Sequence, residues 1–231
     1  MKKPIALILT SHSQLGSSGN GTGTWLEELA AAYYTFVDAG RSVQLVSVQG
    51  GAAPLDPMSL DAPWKLALGQ RFLDDTAATA ALQSTAKLSD ASSDAFAAIF
   101  LVGGAGTVWD FPNNPPLRSL IEKLNVDNRV IAGVCHGVSG LAQAMGMDGQ
   151  PLIRGRMLTG ISNAEDEMAG FDKIVPVLPE DMLRKAGGVY MAGVPFGENV
   201  IRDGNLLTGQ NPASAAPLAR AVLARLSETG Q

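Results

Sequence analysis

Apolar and polar residues along this chain fall into two patterns that take turns. Short apolar runs, many of them β-branched, alternate with stretches where apolar positions recur every three to four residues. The runs at 4–9, 97–102 and 129–134 read as strands covered on both faces, and 42–48 alternates valine and leucine with polar residues. Helical spacing marks 24–39, 116–124 with proline in its first turn, 138–145, a short 179–186 and an alanine-rich 212–226. Residues 189–194 and 199–207 read as further strands, the second broken by the turn signal Asp203-Gly204. Strands separated by helices predict an α/β fold: one domain over residues 1–231, with a mostly parallel central sheet and helices on both faces. No internal repeat interrupts this order. The Gly/Ser/Thr-rich stretch 11–23 is a flexible loop after the first strand, where open α/β sheets place their sites. A second long insertion spans 52–68, and the region 74–93 is rich in alanine and serine.

Composition narrows the class. The chain has 231 residues, 46% hydrophobic and 17% charged, which suits a sizeable core and not a disordered chain. A net charge of −5 provides no attraction to nucleic acid or to an anionic membrane. The opening MKKPIALILT places two lysines before an apolar run, but the run is short and no small-residue cleavage site follows, so a buried strand is expected and not a leader. No stretch approaches the roughly 18 apolar residues of a membrane span. The one cysteine allows no internal disulfide and no cysteine-based zinc site, which fits a reducing cytosol.

That cysteine, Cys135, is the candidate nucleophile. Residues 130–140, Val-Ile-Ala-Gly-Val-Cys-His-Gly-Val-Ser-Gly, run from a strand through a small-residue turn into a helix. In such an elbow the nucleophile stands at a helix N-terminus, where amides favour a thiolate and a pKa below the usual value of about 8.5. The plainer reading is a buried, inert thiol. His136 and the flanking glycines favour the reactive one. Beside the cysteine, His136 is expected to point away from the elbow and to pair with a carboxylate from another segment. His12, in the loop after the first strand, either borders the site or, as the simpler reading has it, sits in solvent. In 24–39 an apolar stripe of Trp25, Leu29, Ala32, Tyr33 and Phe36 sets the helical phase. Glu27 falls opposite the stripe and reads as a solvated acid. Glu28 falls on its flank, half-buried, where a raised pKa suits proton transfer. Gly103-Gly104-Ala105-Gly106 ends a strand and exposes amides that suit an oxyanion, but it matches neither a Walker nor a dinucleotide motif.

A larger set of motifs carries a resemblance. They are Thr22-Gly23 with Trp25-Leu26-Glu27-Glu28-Leu29; Gly50-Gly51 with Pro54-Leu55-Asp56-Pro57; and Gly103-Gly104-Ala105-Gly106-Thr107 with Trp109-Asp110. Val134-Cys135-His136-Gly137, Thr159-Gly160 with Asn163, and residues 207–214 complete it. From about residue 5 to 226 the chain resembles the ThiJ/PfpI superfamily, with its flavodoxin-like, class I glutamine amidotransferase-like fold. It is most similar there to the heat-shock-protein-like branch associated with glutathione-independent glyoxalase, or D-lactate dehydratase, activity. The resemblance implies Cys135 as nucleophile, Glu28 as its acid/base and His136 as a triad-like histidine. The acid behind His136 would be Asp166, with Glu165 and Glu167 as neighbours that compete for the role. Gly103-Gly104 would supply the oxyanion turn, with the amides of Gly104 and His136 as donors.

The substrate would be a small aldehyde such as methylglyoxal, with no metal, no cofactor and no nucleic-acid or membrane partner, in a cytoplasmic homodimer. Ala105 is a departure, since many relatives carry histidine there. Glutamine amidotransfer is not expected, because no histidine follows His136. The alternatives are a hydrolase or hydratase of another small electrophile, and a stress-response chaperone or redox sensor with an oxidisable cysteine.

Overall fold

The computed structural model describes residues 2–230. The chain begins with β1 (Ile5–Leu9), α1 (Leu26–Asp38) and β2 (Val43–Ser47), followed by α2 (Ala67–Asp74), α3 (Thr76–Gln83) and the two-residue β3 (Ala86–Lys87). Next come β4 (Ala98–Leu101), α4 (Thr107–Asp110), α5 (Pro115–Val126), β5 (Val130–Val134) and a 3₁₀ segment, Cys135–Leu141. The last third holds β6 (Met157–Leu158), α6 (Asn163–Ala169), α7 (Pro179–Lys185), β7 (Val189–Tyr190), β8 (Val200–Asp203), β9 (Leu206–Gly209) and α8 (Ala215–Glu228).

Seven strands form one sheet in the order β3-β2-β1-β4-β5-β9-β8. All neighbours are parallel except β8, which pairs antiparallel with β9 through the Asp203-Gly204 turn. The central strands are buried on both faces, and the pleat sorts their side chains. Ile5, Leu7, Leu9, Phe100, Ala132 and Val134 join α1, α2, α3 and α8 in one core. Ala6, Ile8, Ile99, Leu101 and Ile131 join α5, α7 and the 3₁₀ segment in the other. The expected fold class holds, because continuous apolar runs are what a doubly covered parallel sheet requires.

Several local expectations change. The predicted helix 138–145 is instead the 3₁₀ turn Cys135–Leu141, where closely spaced glycines pack the backbone against the end of β4. The predicted strand 189–194 shortens to β7, which pairs with β6 in a separate two-stranded sheet. Helix α2 leads into the alanine-rich region and α3 lies within it, with Asp75 capping α3 through bonds from the Ala77 and Ala78 amides. The insertion at 52–68 is tied to the start of α1: Thr24 N donates to Pro54 O at 2.8 Å and Asp56 N to Thr24 O at 2.9 Å.

Candidate active site

The carboxyl ends of β1, β4, β5 and β9 meet at one edge of the molecule, and Cys135 follows the last residue of β5. Val134 is extended, then Cys135 turns into the left-handed region at φ 54°. That conformation is uncommon for a residue with a Cβ and costs about 1–3 kcal/mol, borne by the pairing of β5 on both sides. The turn points the side chain away from the sheet, yet Cys135 is only 5% exposed.

Three groups surround the sulfur. His136 Nδ1 lies 3.3 Å from Cys135 Sγ, so the imidazole faces the thiol and does not point away as expected. Its Nε2 lies 2.8 Å from Asp166 Oδ1. With Nε2–H donating to Asp166, Nδ1 is left to accept from the thiol, or to donate to a thiolate when the ring is charged. Burial works against the imidazolium, but Asp166, Glu28 and Asp56 outweigh it and hold His136 above its ordinary pKa. Of the three competing acids, Asp166 is the one within hydrogen-bond distance of His136. Glu165 caps α6 by bonding Ser162, and also accepts from Phe196 N, Gln210 and Asn211; Glu167 faces solvent.

Glu28 is the second group. It is fully buried, and Oε2 accepts from Gly103 N at 2.9 Å. Oε1 has no well-formed hydrogen bond. Burial raises its pKa to about 7, against lowering contributions from the Cys135 thiol, His136 and the Gly103 amide. Burial likewise pushes the Cys135 thiol well up, and the charge of Glu28 adds to this, while the His136 amide pulls down. The low thiol pKa expected from an elbow is absent, because burial of the thiol and the acid beside it outweigh the help of the His136 amide. Two negative charges this close are disfavoured, so near neutral pH the pair carries no more than one negative charge and a proton can pass between the two groups.

The glycine turn is the third group. Gly103 contributes by tethering Glu28, so its amide is committed and is not an oxyanion donor as expected. Gly104, at φ 112° with Trp25 N only 2.7 Å from where a Cβ would stand, adopts a conformation that glycine alone takes readily.

Glu27 corrects the sequence reading. It is buried, and its Oε2 accepts from Gly69 N at 2.9 Å and Leu66 N at 3.3 Å. Helix α1 carries α8 on one flank and α2 on another, so the face opposite its apolar stripe is also covered. His12 lies outside the site, half-buried and stacked on Trp109 with ring centroids 4.7 Å apart.

A cavity of about 50 Å³ opens above Cys135. Trp25, Met58, Trp64, Ala105, Phe171 and Phe196 line it beside His136 and Asp166. Sequence reasoning missed Met58, Trp64, Phe171 and Phe196, which belong to the insertion or to remote loops and carry no local motif. Among the described residues, no cluster of three or more His, Cys, Asp or Glu is placed to hold a metal, and no helix is long and apolar enough to cross a membrane.

Comparison with known proteins identifies the family. The model of the DJ-1/PfpI family matches residues 21–225. The chain belongs to the DJ-1/PfpI family. The glutathione-independent glyoxalase HSP31 of Saccharomyces cerevisiae is 31% identical over 226 residues, covering 92% of this chain and 93% of the yeast protein. The crystal structure of glyoxalase III from Candida albicans superposes with a TM-score of 0.89 at 26% identity, covering 96% of each chain. The Rapid Encystment Protein 24 kDa of Francisella tularensis superposes with a TM-score of 0.92 at 35% identity, covering 98% of this chain and 99% of that one. This DJ-1/PfpI chain thus shares family and fold with proteins named for glyoxalase activity, over nearly its whole length.

Proposed function

We propose that this chain is a cysteine-dependent enzyme that converts small 2-oxoaldehydes such as methylglyoxal to 2-hydroxy acids without glutathione or metal. The observation that carries the reading is the buried Cys135–Glu28 pair, with the His136–Asp166 dyad facing the same sulfur. Glyoxalase relatives that match almost end to end support it.

The chemistry follows from the shared proton. As Sγ adds to the aldehyde carbon, the thiol proton passes by way of Glu28 to the aldehyde oxygen and gives a hemithioacetal. Glu28 then takes the proton from C1 as electrons move onto the C2 oxygen, which takes up the proton of the C1 hydroxyl to give an enediolate with its charge on the C1 oxygen. Glu28 returns its proton to C2 as the C1 oxygen re-forms a carbonyl, which leaves a 2-hydroxy thioester on Cys135. Water, activated by His136 and its partner Asp166, hydrolyses the thioester and restores the thiol. The sum is aldehyde plus water to 2-hydroxy acid. A pKa of about 7 lets Glu28 act as base and then acid near neutral pH. The amides of Gly104 and His136 face the developing oxyanion in this scheme.

The same proposal has the chain acting as one domain over 1–231, as a homodimer in the cytosol. The test is lactate formation from methylglyoxal in glutathione-free buffer. Wild type should produce one lactate per aldehyde consumed, and Cys135→Ser none. Absence of lactate from folded wild type refutes the proposal.

A further inference from the structure

The cavity over Cys135 is small, and a second, larger space lies next to it. This cleft, about 380 Å³, shares Trp25, Trp64, Phe196 and Pro212 with the first and is otherwise lined mainly by Leu66, Leu68, Ala213 and Ala216. We propose, resting on the glyoxalase reading, that the enzyme is selective for 2-oxoaldehydes with a bulky, uncharged apolar substituent, aryl above all, and that the cleft is the subsite for that substituent.

Three observations converge on this chemistry. The volume lies within the range of pockets that bury drug-sized groups, far more than a methyl needs. Its shared wall is an aromatic corner: Trp64 meets Trp25 edge-on at 5.8 Å and Phe196 at 6.3 Å, an arrangement that takes a further ring in edge or offset contact. Finally, the charge in the cleft is of one kind. Glu27, its one ionisable lining residue, already accepts two backbone amides, so an anionic substituent would be repelled and a cationic one would compete with those bonds.

The expected selectivity follows from burying several additional carbons. One methylene in a fitted apolar pocket is worth about 10–200-fold in kcat/KM, so phenylglyoxal should exceed methylglyoxal by at least about 10-fold.

Initial rates with both aldehydes, for wild type and two variants, test this. Ala216→Trp fills the cleft from α8 without touching the cavity over Cys135. It should lower the phenylglyoxal-to-methylglyoxal ratio of kcat/KM by about 10-fold or more. Leu66→Ser alters a side chain that is 57% exposed, which spares the core, and should lower the ratio a few-fold by removing apolar lining. Competitive inhibition by mandelate, the aryl product, should exceed that by lactate in wild type and fall towards it in both variants. Turnover of methylglyoxal with no preference for the aryl aldehyde, or a ratio that neither variant moves, overturns the subsite and leaves the glyoxalase reading standing. Turnover of neither aldehyde overturns both.

Discussion

Replacing Gly103 by alanine adds one methyl group at the point where the acid and the nucleophile converge. A Cβ there would stand 2.4 Å from Glu28 Oε2, 2.7 Å from Cys135 Cβ and 2.9 Å from Val134 O. Ordinary contact begins at 3.4 Å, so Glu28 must retreat by about 1 Å and Cys135 by about 0.7 Å. Neither has room, since both are buried and Val134 is held in the sheet. Gly103 is outside the left-handed region, so alanine meets no backbone strain and the effect is one of displacement. A misplacement of about 1 Å in a reacting group costs on the order of 100-fold in rate, and overpacking of this size costs about 1–3 kcal/mol in stability. The assay is kcat/KM for methylglyoxal together with a thermal melt. Gly133→Ala is the control, because its nearest neighbours would lie at 3.5 Å or beyond. It should stay near wild type, while Gly103→Ala loses about 100-fold. A folded Gly103→Ala enzyme with wild-type kcat/KM would refute the assignment of Glu28 and Cys135 as a working pair.

The other predictions concern the two glutamates. Glu28 has its pKa raised from 4.5 to about 7 in the fold, so the folded state holds a proton that the unfolded chain has lost. Its contribution to stability is therefore greatest below pH 4.5 and declines as pH rises through 7. Glu28→Gln should abolish turnover yet be more stable than wild type at pH 8 by urea denaturation; a variant less stable there contradicts the ionisation argument. The same substitution removes the charge beside Cys135, so iodoacetamide should alkylate the variant faster than wild type at pH 8. For Glu27→Ala, loss of an acceptor for two backbone amides should cost about 1–3 kcal/mol and raise KM by loosening the segment that carries Trp64. An unchanged melt and KM would show that Glu27 is the solvated acid its helical phase suggests.

What could be read from the sequence was whatever each segment reports about itself. The buried runs of β1, β4 and β5, the turn at Cys135 and the inward lean of Glu28 all follow from local pattern. Glu27 does not, because its burial comes from α2 and the insertion, which the phase of α1 cannot reveal. Alanine, neutral in an apolar pattern, hid α3. The choice among 165, 166 and 167 was open to a closer reading. Ser162-Asn163-Ala164-Glu165 is a capping box, which commits Glu165 to the helix start and leaves Asp166 free for His136. The aromatic wall offered no such signal, since Trp64, Phe171 and Phe196 meet only through the tertiary fold.

The two borders of the main sheet bear on how the molecule behaves when concentrated. At one side β3 offers only two residues, one of them lysine. At the other, β8 carries Arg202 paired to Glu228 and Asp203 paired to Arg156, and Asp203 also accepts from Met157 N, so a neighbouring segment overlies its end. Short, charged and covered borders give another chain little backbone to pair with. High concentrations of this protein should therefore not seed strand-to-strand polymers, and turbidity at such concentrations would trace to opened molecules and not to the native sheet.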